Sequence, residues 1–305
     1  MTLTLPFRAM HALAVVAHKA GKMPGPDALA TTSVAERKAQ QPVRWALRKR
    51  PEGVRSEDRQ VSATAAVRVY APAARSGAAL LYVHGGGFVL GGLDACDHIC
   101  ADLAALSGHV VVSVDYRLAP EDPFPAGLDD CEAALHWLVA QAADLGIDPT
   151  RIAVAGDSAG GNLSAALALR MRGSDVALTH QVLIYPMLDL RCTRDSWLSE
   201  GAPWVERDQV AALMLQYAGE HGPDVEQVSP LASDDLTGLP PALVVTSEHD
   251  TLRDDGTDYA KALADAGVRV RLSEYARMPH AFLSWPRLTS EYGRCLSEVA
   301  GWLAS

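Results

Sequence analysis

Short apolar runs recur along most of this chain, each bounded by glycine, proline or charged residues. The runs at Ala66 to Tyr70, Leu80 to Val83, Val110 to Asp115, Ile152 to Ala155, Val182 to Tyr185, Ala242 to Thr246 and Val268 to Tyr275 are rich in valine and isoleucine. Their length and β-branched content predict strands. Between most of them the apolar spacing becomes helical, which predicts helices over Cys96 to Leu106, Asp129 to Ala142, Leu163 to Met171, Asp254 to Ala266 and Glu291 to Leu303. Alternation of this kind predicts an α/β fold with a mostly parallel central sheet flanked by helices on both faces.

Three stretches stand outside the alternation. At the start, Leu3 to Val16 reads as an amphipathic helix with Leu5, Met10, Leu13 and Val16 as its buried stripe. The segment from Lys38 to Gln60 is charged, carries Pro42 and Pro51, and reads as a connector. Further on, Asp189 to Gln227 contains Trp197, Trp204 and a helical pattern over Arg207 to Tyr217, but no convincing strand. An insertion between strands, above the carboxyl ends of a parallel sheet, is where a cap lies. The expected organisation is therefore N-terminal cap helices and connector over 1–60, one α/β domain over 61–305, and a small helical cap inserted at 189–227.

With 305 residues, 49% of them hydrophobic and 21% charged, the chain can bury a substantial core. A formal net charge of -10 argues against nucleic acid, whose phosphates need clustered lysine and arginine. No run approaches the roughly 20 apolar residues of a membrane span, and no stable membrane association is expected. Arg8 and His11 interrupt the N-terminal apolar stretch and no basic residue precedes it, so it is a poor secretory signal. The cysteines, Cys96, Cys100, Cys131, Cys192 and Cys295, are odd in number and scattered, which points to free thiols and a cytoplasmic protein. Cys96 and Cys100 flank His98, yet no second ligand pair follows at zinc spacing; they read as buried helix positions, and no metal is expected. The N-terminal amphipathic helix could serve self-association, and a homodimer is the expected assembly.

Two glycine-rich motifs carry the chemistry. Ser158 lies in Gly156-Asp157-Ser158-Ala159-Gly160, directly after one strand-like run and directly before a helical one. Small flanking residues permit a tight strand-to-helix turn that pushes the hydroxyl out at a helix N-terminus, where N–H groups favour developing negative charge. The second motif, His84-Gly85-Gly86-Gly87-Phe88, follows the apolar run Ala78 to Val83. Together they read as a nucleophile and the donors for its oxyanion. His84 reads as a brace for the glycine loop, and Asp157 as orienting the turn or capping the helix.

These motifs resemble those of the hormone-sensitive-lipase-like branch of the α/β-hydrolases, the bacterial carboxylesterases often called family IV. Further matching stretches are Asp115-Tyr116-Arg117-Leu118-Ala119-Pro120-Glu121, Tyr185-Pro186-Met187-Leu188-Asp189, Asp250-Thr251-Leu252-Arg253-Asp254-Asp255-Gly256 and His280-Ala281-Phe282. The resemblance covers Thr64 to the C-terminus, while the first sixty residues match loosely, as cap helices would. Thr251 departs from the family pattern, which has proline there; that proline shapes a turn and does no chemistry. The resemblance implies an α/β-hydrolase fold with a helical cap and a small-molecule ester substrate with a short to medium acyl chain.

Acyl transfer needs a base beside the serine and an acid to hold that base in the right tautomer. In this fold the chain order is serine, acid, histidine. Asp250 follows the buried run Ala242 to Thr246, and His280 follows the last strand-like run, so Ser158, Asp250 and His280 are the expected triad. Glu248, Asp254 and Asp255 are alternative acids, and His249 sits beside Asp250 on the same turn. The expected oxyanion donors are the N–H groups of Gly86 and Gly87, with Gly85 as a further candidate, and of Ala159. No metal or organic cofactor is required for this chemistry. Phe88, Tyr185, Leu188, Trp204, Met214, Leu252 and Phe282 flank the motifs or lie in the cap and are the expected pocket walls. Amidase, peptidase or lactonase action would use the same groups. A receptor built on this fold would lack the histidine that is present here as His280.

Overall fold

The apolar runs assemble into one eight-stranded sheet in the computed structural model, which describes residues 4–8, 32–39, 50–198 and 207–305. The strands are β1 (Val54–Gln60), β2 (Ala66–Pro72), β3 (Ala79–Val83), β4 (Val110–Asp115), β5 (Ile152–Asp157), β6 (Leu178–Ile184), β7 (Ala242–His249) and β8 (Val270–Pro279). Their spatial order is β1-β2-β4-β3-β5-β6-β7-β8. β2 runs antiparallel to both β1 and β4, and every other neighbouring pair is parallel. The described helices are α1 (Val34–Ala39), α2 (Asp97–Ser107), α3 (Ala126–Ala140), α4 (Ala142–Leu145), α5 (Ala159–Met171), α6 (Asp195–Leu198), α7 (Arg207–Ala218), α8 (Arg253–Asp265) and α9 (Glu291–Leu303).

Successive strand residues point to opposite faces, and in this sheet both faces are covered. Leu81 and Val83 of β3 pack with Leu128 and Leu135 of α3 and Leu163 and Leu167 of α5. Leu80 and Tyr82 turn to the other face, where they meet Ile99 and Leu103 of α2 and Leu296 and Val299 of α9. That is why the central runs are continuously apolar rather than alternating. Each fully buried leucine or valine contributes roughly 1.5–3 kcal/mol, so these layers supply the main stabilisation of the scaffold. Twelve of the thirteen residues of α5 are buried, which makes this helix a rigid base for the residue at its N-terminus.

Three expectations are corrected. The presumed connector from Lys38 to Gln60 contains β1, paired along its whole length with β2. Its charges belong to a strand: Arg55, Glu57, Asp58 and Arg59 stand on the edge of the sheet, and Asp58 pairs across with Arg68 at 2.6 Å. Charged edge strands resist unwanted pairing, so the composition of a loop here serves a strand. β6 begins four residues before the apolar run at Val182, because Gln181 spends its side-chain amide on Pro240 O and Thr179 its hydroxyl on Ile152 O. At the N-terminus Leu5 is 77% exposed while Phe7 is fully buried in the layer beneath α2 and α9. Two residues are about 200° apart around a helix, so seating the aromatic ring turns Leu5 outward. Met10, Leu13 and Val16 lie outside the described residues. Among the described residues no helix is long and apolar enough to cross a membrane.

Candidate active site

β3, β5, β7 and β8 are parallel neighbours or near neighbours, so the loops that leave their carboxyl ends converge on one edge of the sheet. Ser158 follows β5 immediately and adopts φ 56° and ψ -120°, a left-handed conformation costly for a residue with a Cβ. The surrounding glycines make that turn possible. A Cβ on Gly160 would stand 2.0 Å from Val83 O, so only glycine lets α5 approach β3 this closely. The turn is then pinned from both sides: Ser158 N–H donates to Ile184 O at 2.9 Å, and Met187 N–H donates to Ser158 O at 3.2 Å. Asn162, one turn into α5, donates its side-chain amide to Met187 O and Val228 O at 2.8 Å each.

Ser158 Oγ lies 3.0 Å from His280 Nε2, and His280 Nδ1 lies 2.8 Å from Asp250 Oδ2. The three side chains thus form one hydrogen-bonded line. Asp250 Oδ1 accepts the N–H of Leu252 at 2.9 Å, which fixes the carboxylate plane. The edge of the imidazole rests on the Tyr185 ring, whose centroid is 5.0 Å away. Burial pulls the pKa of His280 down, but the charge and hydrogen bond of Asp250, with Asp157 beyond, outweigh it and hold the imidazole above its ordinary 6.5. The alternative acids are engaged elsewhere. Glu248 accepts the N–H of Arg277, Asp254 that of Ser196, and Asp255 those of Leu188 and Asp189 together with the Trp197 indole. Burial pushes Asp255 up to about 7, consistent with a carboxyl held for structure between α6 and the segment that follows β6.

The glycine loop after β3 faces Ser158 across a cavity of roughly 330 Å³. Gly86, at φ +133°, could not carry a side chain, since its Cβ would lie 2.1 Å from Leu90 O. The N–H groups of Gly86, Gly87 and Ala159 have no acceptor among the described residues. Gly85 differs: its N–H donates to Asp157 Oδ1 at 3.1 Å, so it is removed from the expected oxyanion donors. The same carboxylate accepts the Tyr82 hydroxyl at 2.9 Å, so Asp157 ties the two motif loops together and does not cap α5. Burial raises its pKa against the pull of those hydrogen bonds. His84 stacks on Tyr116 with ring centroids 4.3 Å apart and places Nδ1 2.8 Å from Gly85 O. Its burial pushes its pKa down to about 4, so it is a neutral brace at ordinary pH.

Of the six expected pocket walls among the described residues, only Leu252 borders the cavity. Phe88 instead stacks on Tyr217 at 3.7 Å, Met214 contacts Cys192 Sγ at 3.1 Å, and Leu188 packs with Val244 and Leu263. Tyr185 and Phe282 pack on one another beneath His280, and Trp204 lies outside the described residues. The walls are Leu90 from the glycine loop, Cys96 and Ile99 from the start of α2, Met187, and Val210 and Leu213 from α7. Cys96 and Ile99 are three positions apart just after the glycine loop, a spacing that would have marked them as one face of a helix at this edge. All five cysteines are free and buried; Cys96 is the residue just before α2, and Cys100 in its first turn donates its N–H to Cys96 O at 2.9 Å.

The sequence profile of the α/β-hydrolase fold family matches residues 80–284. The chain is 44% identical over 234 residues to carboxylesterase NlhH of Mycobacterium tuberculosis, covering 72% of each chain. It is 40% identical over 236 residues to an ethyl acetate hydrolase of Pseudomonas putida, covering 75% of this chain and 74% of that one. In three dimensions it superposes on a hyperthermophilic esterase of the archaeon Pyrobaculum calidifontis with a TM-score of 0.88 at 35% identity, covering 99% of this chain and 98% of the other. With two motif loops, a serine turn and this degree of likeness in agreement, the chain belongs to the α/β-hydrolase family and is a carboxylic ester hydrolase of its hormone-sensitive-lipase-like branch.

Proposed function

We propose that the chain hydrolyses short- to medium-chain acyl esters through an acyl-enzyme formed on Ser158. The observation that carries this reading is the continuous line from Ser158 Oγ to His280 Nε2 and from His280 Nδ1 to Asp250 Oδ2, at 3.0 and 2.8 Å, on the wall of the cavity. His280 takes the hydroxyl proton as Ser158 Oγ attacks the ester carbonyl, and Asp250 stabilises the imidazolium. The N–H groups of Gly86, Gly87 and Ala159 receive the tetrahedral oxyanion; one such donor is worth about 3–4 kcal/mol in the barrier. His280 then protonates the departing alcohol, water attacks the acyl carbonyl with His280 again as base, and the acid leaves. A cavity near 330 Å³, walled by leucine, isoleucine, valine and methionine, suits a short acyl chain better than a long one. Five free thiols support a reducing, cytoplasmic setting.

Ser158→Ala is the test. Turnover of p-nitrophenyl butyrate should fall by about 10⁴-fold or more with the fold intact. A folded variant that keeps more than about a hundredth of the activity would mean that Ser158 is not the nucleophile. A panel of esters, lactones and anilides assayed on the wild type decides which acyl bond it prefers, and faster lactone or anilide cleavage would displace the ester reading.

A further inference from the structure

Arg37, on α1, is 1% exposed, and its guanidinium is spent on the loops around the glycine motif. Its Nε donates to Val89 O at 3.0 Å and its Nη2 to Ala119 O at 3.3 Å. Nη1 donates to Thr32 O at 2.7 Å and to Glu121 Oε1 at 3.0 Å, and Nη2 also contacts Glu121 Oε2. Burying a cation is costly unless its donors are all satisfied, so such a group is kept where it holds something in place.

Two of the carbonyls it holds, those of Val89 and Ala119, belong to segments already joined to one another. Ala119 N–H donates to Phe88 O at 3.0 Å, while Val89 and Leu90 N–H fold back onto Gly86 O at 3.2 and 2.9 Å. Between these anchors Gly86, Gly87 and Phe88 all have positive φ, so the direction of their N–H groups depends on the supports at each end. α1 also reaches the far end of the same loop, where Lys38 Nζ meets Asp115 Oδ1 at 2.6 Å beside Gly92. We propose that Arg37 is a positioning residue for the oxyanion loop, coupling the N-terminal helix to the aim of the Gly86 and Gly87 N–H groups. The proposal rests on the reading of Ser158 and His280 as the acyl-transfer pair.

The test compares Arg37→Met, Arg37→Lys and Glu121→Gln with the wild type. Active sites are counted by fluorophosphonate titration, kcat and KM are measured on p-nitrophenyl butyrate, and a trifluoromethyl ketone serves as tetrahedral analogue. Misaimed donors should lower kcat per titrated site in Arg37→Met by about 10- to 100-fold, with KM within about 2-fold. Affinity for the ketone should fall in step with kcat. Arg37→Lys, whose single ammonium cannot span both carbonyls, should lose somewhat less. Glu121 is partly exposed, so Glu121→Gln answers even if Arg37→Met does not fold, with an expected kcat loss of about 2- to 10-fold. A merely structural Arg37 would lower the titrated fraction or the melting temperature and leave kcat per site and ketone affinity unchanged. That result in any folded variant, or a loss carried by KM alone, overturns the proposal. A wild-type protein that fluorophosphonate does not label defeats the Ser158 reading instead, which keeps the two failures apart.

Discussion

Exchanging Asp250 for asparagine barely alters side-chain size and inverts one hydrogen bond. In the wild type Asp250 Oδ1 accepts Leu252 N–H at 2.9 Å while Oδ2 lies 2.8 Å from His280 Nδ1. An asparagine that keeps the Leu252 bond through its carbonyl must point its NH₂ at Nδ1, which can then only accept. The ring proton moves to Nε2, the atom 3.0 Å from Ser158 Oγ, and a nitrogen already protonated cannot serve as base. The wrong tautomer costs about 10⁴-fold in kcat, or roughly 5 kcal/mol of barrier. A second readout is independent of that magnitude. Burial alone would lower the pKa of His280, and the charge and hydrogen bond of Asp250 are the larger part of what raises it above 6.5. Activity requires the neutral imidazole, so the wild-type acid limb of kcat/KM lies above pH 6.5 and activity is lost as pH falls through it. Asparagine removes the stabilising charge, so the limb moves to lower pH. Initial rates of p-nitrophenyl butyrate hydrolysis from about pH 5 to 9, scaled to titrated sites, give both numbers. A variant with more than about a tenth of wild-type kcat, or with an acid limb that stays in place, refutes the reasoning.

Three further perturbations follow from the same geometry. Folded His84 titrates at about 4 because it is buried, whereas unfolded it would titrate near 6.5, so its contribution is present above pH 6.5 and lost as pH falls toward 4. Urea unfolding at the two pH values should show an acid loss smaller by on the order of 3 kcal/mol in His84→Gln than in the wild type; equal losses contradict the assignment. Gly160→Ala places a methyl group 2.0 Å from Val83 O, a backbone atom that cannot turn aside, and should cost about 3 kcal/mol or more; an unchanged thermal midpoint would disprove it. Leu213 walls the cavity from α7 and would stand 3.1 Å from a Cβ on Gly87. Leu213→Ala should raise KM for short esters about 5-fold and shift preference toward longer acyl chains, while an unmoved chain-length profile would exclude Leu213 from specificity.

The strands that build the middle of the sheet were legible because both of their faces are covered. Continuous apolar runs such as Leu80 to Val83 and Ile152 to Ala155 have no other use in a chain of this composition. β1 was illegible for the opposite reason: an edge strand half open to solvent carries charges, and its identity rests on seven pairings with β2 rather than on its own residues. Ser158, Asp250 and His280, which the structure joins by hydrogen bonds, could be singled out from chain order, since each follows a strand that the apolar pattern already located.

What the sequence determined by itself is therefore local and topological: strand and helix identity, their order, the serine turn demanded by Gly156 and Gly160, and the loops that bear Asp250 and His280. Tertiary structure alone decided which neighbours of those motifs face the substrate. Phe88 and Tyr185 have φ of 65° and 35°, values that residue type does not announce, and each such turn swings a large ring out of the cavity and into the core. Gly85 lost its expected role through a carboxylate 72 positions away, and Arg37 acquired one through carbonyls 52 and 82 positions away. The aim of a side chain depends on the sign of one backbone angle and on partners distant along the chain, and neither is encoded in the spacing of apolar residues.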